Sequence, residues 1–462
     1  MNNRPYIVAL EIGSSKIVGA IASVSSKGQI SVLALDEEQS HESVRYGCIK
    51  NLEDTANRIA DVIAKLEAHA QISPQRIKSV YTGLSGRSLQ SVSHKTSLPL
   101  TEGEPVSNEI INRMIRDVTY AVGIEGMEII DVLPTRYMVD NMESVKPVGS
   151  VGNKIEGEFT VILGKEQLKA NIRRVISDRN NLEIKRFNTT ILAEGEHVLT
   201  AEERRLGAML VNFGAETTTV AIYKKDAPVY LYTMPIGSRN ITRDITSLNV
   251  LEENAEDIKK SIGNAKEVGT LTDLKIGSIK AIDAGNLIVA RAGEIVANIY
   301  AQIEAAGLTI SDIPEGVIVT GGGCNLKNFV ELISDHFGIK ARRGDLSHKE
   351  LNLTEANKRG VDISPKNPSY LSIYSLLLEA AAKLKDGESC CISPVINTTS
   401  KVEEINKEPE VNKPKQVKKP KNPSKPKIKK ENRFANILHK VQDFAKDLAD
   451  KAFDDEKDDE DE

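Results

Sequence analysis

Three short stretches of small and polar residues carry the residue types that bind phosphate. The first, Glu11-Ile-Gly-Ser-Ser-Lys16, lies between an apolar run at Tyr6–Leu10 and a second at Ile17–Val24. A turn through Gly13, Ser14 and Ser15 bares backbone N–H groups and hydroxyls at one point, with the Lys16 ammonium beside them. That is the chemistry an oxyanion requires. The second, Val211-Asn-Phe-Gly-Ala-Glu-Thr-Thr-Thr-Val220, repeats strand, small polar turn and strand about 200 residues later, offering Gly214, Thr217 and Thr218. In the third, an apolar strand from Val317 runs into Gly321, Gly322 and Gly323, and a helix is predicted from Leu326 to Phe337. Adjacent glycines permit close approach by a ligand, and a helix N-terminus favours an anion. Each turn alone reads as an ordinary loop. Their order and spacing together are specific.

The surrounding segments set what can position these turns. At 462 residues the chain exceeds one ordinary hydrophobic core, so two or more domains are expected. With 40% apolar and 27% charged residues it reads as soluble and globular. Its net charge of −5 argues against nucleic acid as a general partner. No apolar run is long enough to span a bilayer, and the first residues lack a signal-peptide core. Cys48, Cys324, Cys390 and Cys391 have no metal-ligand spacing, which points to a reducing cytosolic setting. Strands are predicted at 6–10, 17–24 and 30–35. A helix is predicted at about 52–69, where Leu52, Ile59, Val62, Ile63 and Leu66 recur with helical period. This alternation predicts an α/β architecture.

The order of the three turns resembles the actin/Hsp70/sugar-kinase superfamily, in which two hairpins grip phosphates and a third glycine turn lies by the adenosine. Further segments resemble the FtsA family of bacterial cell-division proteins. They are Ile130-Asp-Val-Leu-Pro134 with Tyr137 and Asp140, Pro147-Val-Gly149 with Gly152, and Met234-Pro-Ile-Gly-Ser-Arg-Asn-Ile-Thr242 with Asp244. Ala255-Glu-Asp-Ile-Lys259 with Gly263, Ala290-Arg-Ala-Gly-Glu-Ile295 and Asn367-Pro-Ser-Tyr370 complete the set. The resemblance runs from about 5 to 385 and resumes in a terminal amphipathic helix. It implies an α/β, actin-like ATPase fold of two duplicated domains with an FtsA-type inserted subdomain. Subdomain 1A would occupy 1–83 and 166–200, the insert 1C 84–165, and 2A with 2B 201–392, 2B near 235–305.

The resemblance also implies ATP and Mg²⁺ as cofactors, with Glu11 on the metal side. It sets Glu256 and Lys259, with the three glycines, on the adenosine side. On spacing alone, Glu256 and Lys259 fit an exposed helical face at least as well. The implied function is a polymerising adaptor, self-associating into filaments, that ties the FtsZ ring through its C-terminal tail to the inner face of the cytoplasmic membrane. It would act at the division septum with other divisome proteins.

Departures from the family pattern bear on mechanism. Glu11 stands where the family carries Asp, and Asn212 and Thr219 replace the two aspartates usual in the second hairpin. Ala215 and Glu216 replace two glycines there. Carboxylates at such places organise Mg²⁺ and its waters. Weaker phosphate binding on the second side is therefore expected, with little or no hydrolysis, and Glu216 adds a charge near the phosphates. Restoring both aspartates is expected to tighten Mg²⁺-dependent binding. A sugar kinase would need a general base aimed at a hydroxyl, and no residue is assigned as catalytic. An Hsp70-like ATPase would need a β-sandwich after the ATPase. A pilus-assembly relative of the PilM type would share the fold without reason for the segment that follows.

That segment begins near 393. To about 432 it is rich in Pro, Lys and Asn and predicts a disordered linker, with nine lysines and no acid between Val411 and Lys430. Asn432 is an N-cap candidate for a helix at 433–453, and an acidic tail fills 454–462. Phe434, Ile437, Leu438, Val441, Phe444 and Leu448 share one stripe. Such a stripe beyond a basic tether suits an anionic lipid surface, the alternatives being the protein's own body or a partner helix. Lysines near the lipid add about 1 kcal/mol each, which salt screens. Phe444→Glu or Leu438→Glu should release the protein from anionic liposomes in co-sedimentation, whereas Asp447→Ala, off the stripe, should not. Unchanged sedimentation after removal of 433–462 would exclude the helix as anchor.

Overall fold

The computed structural model describes residues 5–392 apart from 102, 269–273, 278, 355 and 357–361. The predicted linker, terminal helix and acidic tail lie outside the described residues. The chain opens with β1 (Tyr6–Ile12), β2 (Lys16–Val24) and β3 (Ile30–Gln39), an antiparallel meander. β1 and β2 are buried almost throughout, which is why they read as continuous apolar runs and not as alternating ones. Helix α1 (Leu52–His69) starts where the Asn51 side chain accepts the amides of Glu53 and Asp54. Its buried Ile59, Val62 and Leu66 pack on β2, where Gly19 leaves room: a Cβ there would sit 2.6 Å from Val62. Each such side chain contributes roughly 1.5–3 kcal/mol by burial.

β4 (Ser79–Leu84) joins parallel to β1, and the chain then leaves the sheet. β5 (Gln90–Pro99), α2 (Asn108–Ala121), β6 (Met127–Val139) and β7 (Lys154–Lys165) form a unit with its own core. In it Met114 and Val118 of α2 pack with Tyr137 and Phe159, whose rings meet edge to face at 5.8 Å. The chain returns through β8 (Glu183–Thr189), parallel to β4, and helix α3 (Thr190–Val198).

The second sheet repeats the plan. β9 (Ala208–Phe213), β10 (Thr218–Lys224) and β11 (Ala227–Met234) form the meander, β12 (Val317–Thr320) adds parallel to β9, and β13 (Ala341–Arg343) adds parallel to β12. The order β11-β10-β9-β12-β13 mirrors β3-β2-β1-β4-β8. The pair Tyr232–Gln90 continues the second sheet into the insert. Helices α4 (Ser238–Thr246), α5 (Glu252–Ile262) and α6 (Ala281–Ala305) follow β11, and α7 (Phe329–Phe337) follows β12. Helix α8 (Leu371–Lys385) packs on β1, β2, β4 and α3, tying the end of the second half to the first. Among the described residues no helix is long and apolar enough to cross a membrane.

Candidate functional site

Both meanders turn through the same hairpin. The Gly13 N–H donates to the Lys16 carbonyl at 3.0 Å, and the Gly214 N–H donates to the Thr217 carbonyl at 2.9 Å. Ile12 pairs with Ile17 as Phe213 pairs with Thr218. The two turns line one cleft of about 720 Å³. Gly13, Ser14, Ser15, Lys16, Gly214, Thr217, Glu256, Lys259, Gly321, Gly322, Gly323 and Glu11 all reach it, as do the substituted Asn212 and Thr219. Thr218 does not line it: its hydroxyl is buried and donates to the Ile236 carbonyl at 2.7 Å.

Several of these groups are already engaged. The Lys16 ammonium lies 2.6 Å from Glu37 and 3.9 Å above the Tyr370 ring centre, so its charge enters the cleft neutralised. Glu256 and Lys259 are no exposed face. Lys259 is buried, 2.6 Å from the Glu256 carboxylate, and donates to the Thr242 hydroxyl at 2.8 Å and the Ser238 carbonyl at 3.1 Å. Burial pushes the Lys259 ammonium down against the pull of Glu256, while the bonds from Lys259 and Thr242 outweigh burial and hold Glu256 low. The three glycines serve two purposes. A Cβ on Gly321 would meet the Phe213 carbonyl at 2.5 Å and one on Gly323 the Phe213 ring at 2.6 Å, so both are demanded by packing. Gly322 alone has a Cβ direction nearly open, with Ser369 at 3.5 Å. The helix predicted from Leu326 starts instead at Phe329, because Gly322–Asn325 wind into a 3₁₀ turn and Asn328 is left-handed at φ 59°.

The structure adds residues that the sequence pattern passed over. Glu194 on α3 is fully buried and accepts from Asn212 at 2.7 Å, from Thr320 at 2.7 Å and from the Ser372 hydroxyl. It binds both strand ends of the second half to the start of α8. Burial pushes Glu11 up to about 7, the Glu194 charge adds to that, and Lys16 and Ser372 oppose it. The hydroxyl of Thr190, in the cleft wall, is buried without a partner. An orphaned donor is costly unless a ligand or water meets it.

Glu216 corrects one expectation. It does not point its charge at the cleft; its side chain is wholly buried in a cage of donors. Arg45 reaches it at 2.8 Å and the Tyr46 N–H at 2.7 Å from the first half, Arg243 at 2.7 Å and Arg239 at 3.2 Å from the second. Burial pushes this carboxyl up, but the Tyr46 amide and the arginines outweigh it and hold it below its ordinary range. Asn212 places a condition on another. An aspartate there would set two carboxylates where Asn212 now donates to Glu194, so restoring the aspartates without altering Glu194 would bring like charges together in a buried place.

The comparisons agree with this geometry. A sequence profile described as "Cell division protein FtsA" matches residues 209–375, and one described as "SHS2 domain inserted in FTSA" matches 86–163. The cell division protein FtsA of Porphyromonas gingivalis is 30% identical over 348 residues, 73% of this chain and 71% of that one. The chain belongs to the FtsA family. The FtsA of Pseudomonas aeruginosa is 27% identical over 400 residues, 84% and 92% of the two chains. A solved structure of a PilM-PilN type IV pilus biogenesis complex superposes with a TM-score of 0.60 at 16% identity, covering 81% of this chain and 98% of that one. That likeness shows the actin-like fold; the family is FtsA.

A nucleotide fits the residues present. The cleft has the volume, Gly322 has an open face, and Thr190 has an unspent hydroxyl. A dedicated metal cage does not fit: no group of three or more metal-binding side chains occurs among the described residues. Any Mg²⁺ would be held chiefly by phosphate and water, as this ion prefers. Two outcomes follow for this FtsA-family site. Glu216→Ala leaves three guanidiniums around an empty pocket and should cost about 3–5 kcal/mol in denaturant titration, more than Arg45→Ala; equal, small losses would contradict the cage. Because Glu11 is raised in the fold, its contribution is full below about 4.5 and lost as pH rises through about 7. Glu11→Gln should therefore remove a fall in melting temperature across that window, and an unchanged profile would refute it.

Proposed function

We propose that this FtsA-family chain is an ATP-binding, filament-forming adaptor that holds the FtsZ ring to the inner face of the cytoplasmic membrane at the septum. The observation that carries it is the pair of identically closed hairpins facing one cleft. Gly13 to Lys16 and Gly214 with Thr217 would receive the phosphates, with Thr190 as a further donor. Glu256 and Lys259 with Gly322 would flank the adenosine. ATP, when bound, supplies negative charge that both halves can grip at once. Asn212 and Thr219 bring no charge to polarise an attacking water, so turnover is slow. The terminal helix at 433–453 anchors the protein, and the FtsZ C-terminal tail binds the second half near 235–305.

The insert is the filament contact in this reading. Met142, Val145, Val148 and Val151 stand 72%, 90%, 49% and 64% exposed on it, four apolar side chains within one short stretch of chain. Three tests apply. FtsZ tail peptide should be recruited to anionic lipid monolayers only through the full-length chain, and recruitment surviving loss of 433–462 would refute the anchor. Deleting the insert should abolish ordered assembly on those monolayers, and unchanged filaments would move the contact elsewhere. Asn212→Asp with Thr219→Asp should gain Mg²⁺-dependent nucleotide binding only when Glu194→Gln is added, read by calorimetry. A full gain without it would contradict the Glu194–Asn212 bond.

A further inference from the structure

Behind the first phosphate turn lies a second cavity of about 310 Å³. Its wall is shared with the cleft: Gly47 and Ser85 line both. The partition is two backbones in contact, since a Cβ on Gly47, which has φ +69°, would meet the Gly86 Cα at 2.7 Å. The Gly47 N–H also donates to the Ser14 hydroxyl at 2.7 Å, so the partition is fixed to the phosphate turn itself. The floor is apolar, with Ile49 and Leu168 buried. Lys50, Arg87 and Lys165, from three separate chain segments, line the cavity, and no acid does. None of the three makes an ion pair among the described residues, whereas Lys16, Lys259 and Lys260 in the neighbouring cleft do; Arg87 lies 5.4 Å from the centre of the Tyr46 ring, and all three are exposed at the rim.

We propose that this cavity binds a small organic anion, its phosphate or carboxylate head among Lys50, Arg87 and Lys165 and its body on the apolar floor. An apolar concavity of some 300 Å³ or more with a few convergent polar groups is the usual form of a small-molecule site. Three cations without a carboxylate partner around one concavity focus a field that attracts an anion, and salt weakens it. Bare phosphate would leave the apolar floor uncovered, which is why an organic body is assigned. Cys48, half-buried in the wall, reports on the cavity. Burial pushes its thiol up, while Arg87, Lys50 and Lys165 each pull it down, so all three charges reach that one point.

The test is alkylation of the full chain with peptide mapping of Cys48, using iodoacetate, an anion, and iodoacetamide, its neutral counterpart. Cys48 should favour iodoacetate over iodoacetamide several-fold more than the half-buried Cys390 does. Lys50→Ala with Arg87→Ala and Lys165→Ala should erase that preference, whereas Arg87→Lys should keep it. Glycerol 3-phosphate should slow carboxymethylation of Cys48, glycerol should not, and the protection should persist when ATP saturates the main cleft. Equal reagent preference at Cys48 and Cys390 would overturn the proposal. So would protection that vanishes under saturating ATP, since the anion would then be sitting in the cleft and not behind it.

Discussion

One buried carboxylate joins the two halves of this molecule beside its cleft. Glu216 lies on the second phosphate hairpin, yet its acceptors are filled from both sides, by Arg45 and the Tyr46 amide and by Arg239 and Arg243. A carboxylate with no exposure would be prohibitive alone, and becomes tolerable only with its charge compensated and its oxygens hydrogen-bonded. The loop carrying Arg45 is in turn held to the first hairpin, through the Gly47 amide on Ser14 and the Ser40 hydroxyl on the Gly13 carbonyl. The two turns are thus fixed relative to each other through side chains.

A second polar centre lies behind the strand end. Asn212 offers no carboxylate there, and the buried Glu194 takes its amide as one of three donors. The carboxyl therefore lies behind the strand end and not at its tip, and burial there pushes its pKa up against the bonds from Ser372, Thr320 and Asn212. Glu11 adjoins the first phosphate turn in the chain, and burial, with the nearby Glu194 adding to it, makes its carboxyl reluctant to ionise. The arrangement retains the grip of two backbone hairpins and gives up much of the acidity that metal-assisted water attack requires. Binding without rapid turnover is what the proposed adaptor role would require.

The parts legible in the sequence are those with local causes. β1, β2 and α1 followed from unbroken apolar runs and a 3.6-residue period, and the hairpins from small polar residues between them. β3 extends four residues past its predicted end, to Gln39, because its later part is the edge of the meander, where polar side chains are compatible with pairing. What was illegible depends on distant partners. Glu194 looks like any helical glutamate until Thr320 and Ser372 arrive from 126 and 178 residues away. The fate of Glu216 turns on Arg45, 171 residues earlier. Thr218 and Thr219 are neighbours in a strand, so one must face the cleft when the other does not, and only the register of β10 decides which.

The most direct test is equilibrium titration of the full-length wild type with ATP and Mg²⁺, followed by phosphate release on the same sample. Saturable one-to-one binding is expected, with turnover far below the roughly 1–1,000 per second of typical enzymes. Absence of binding, or phosphate release at such a rate, would contradict a cleft that holds nucleotide without the acids to hydrolyse it.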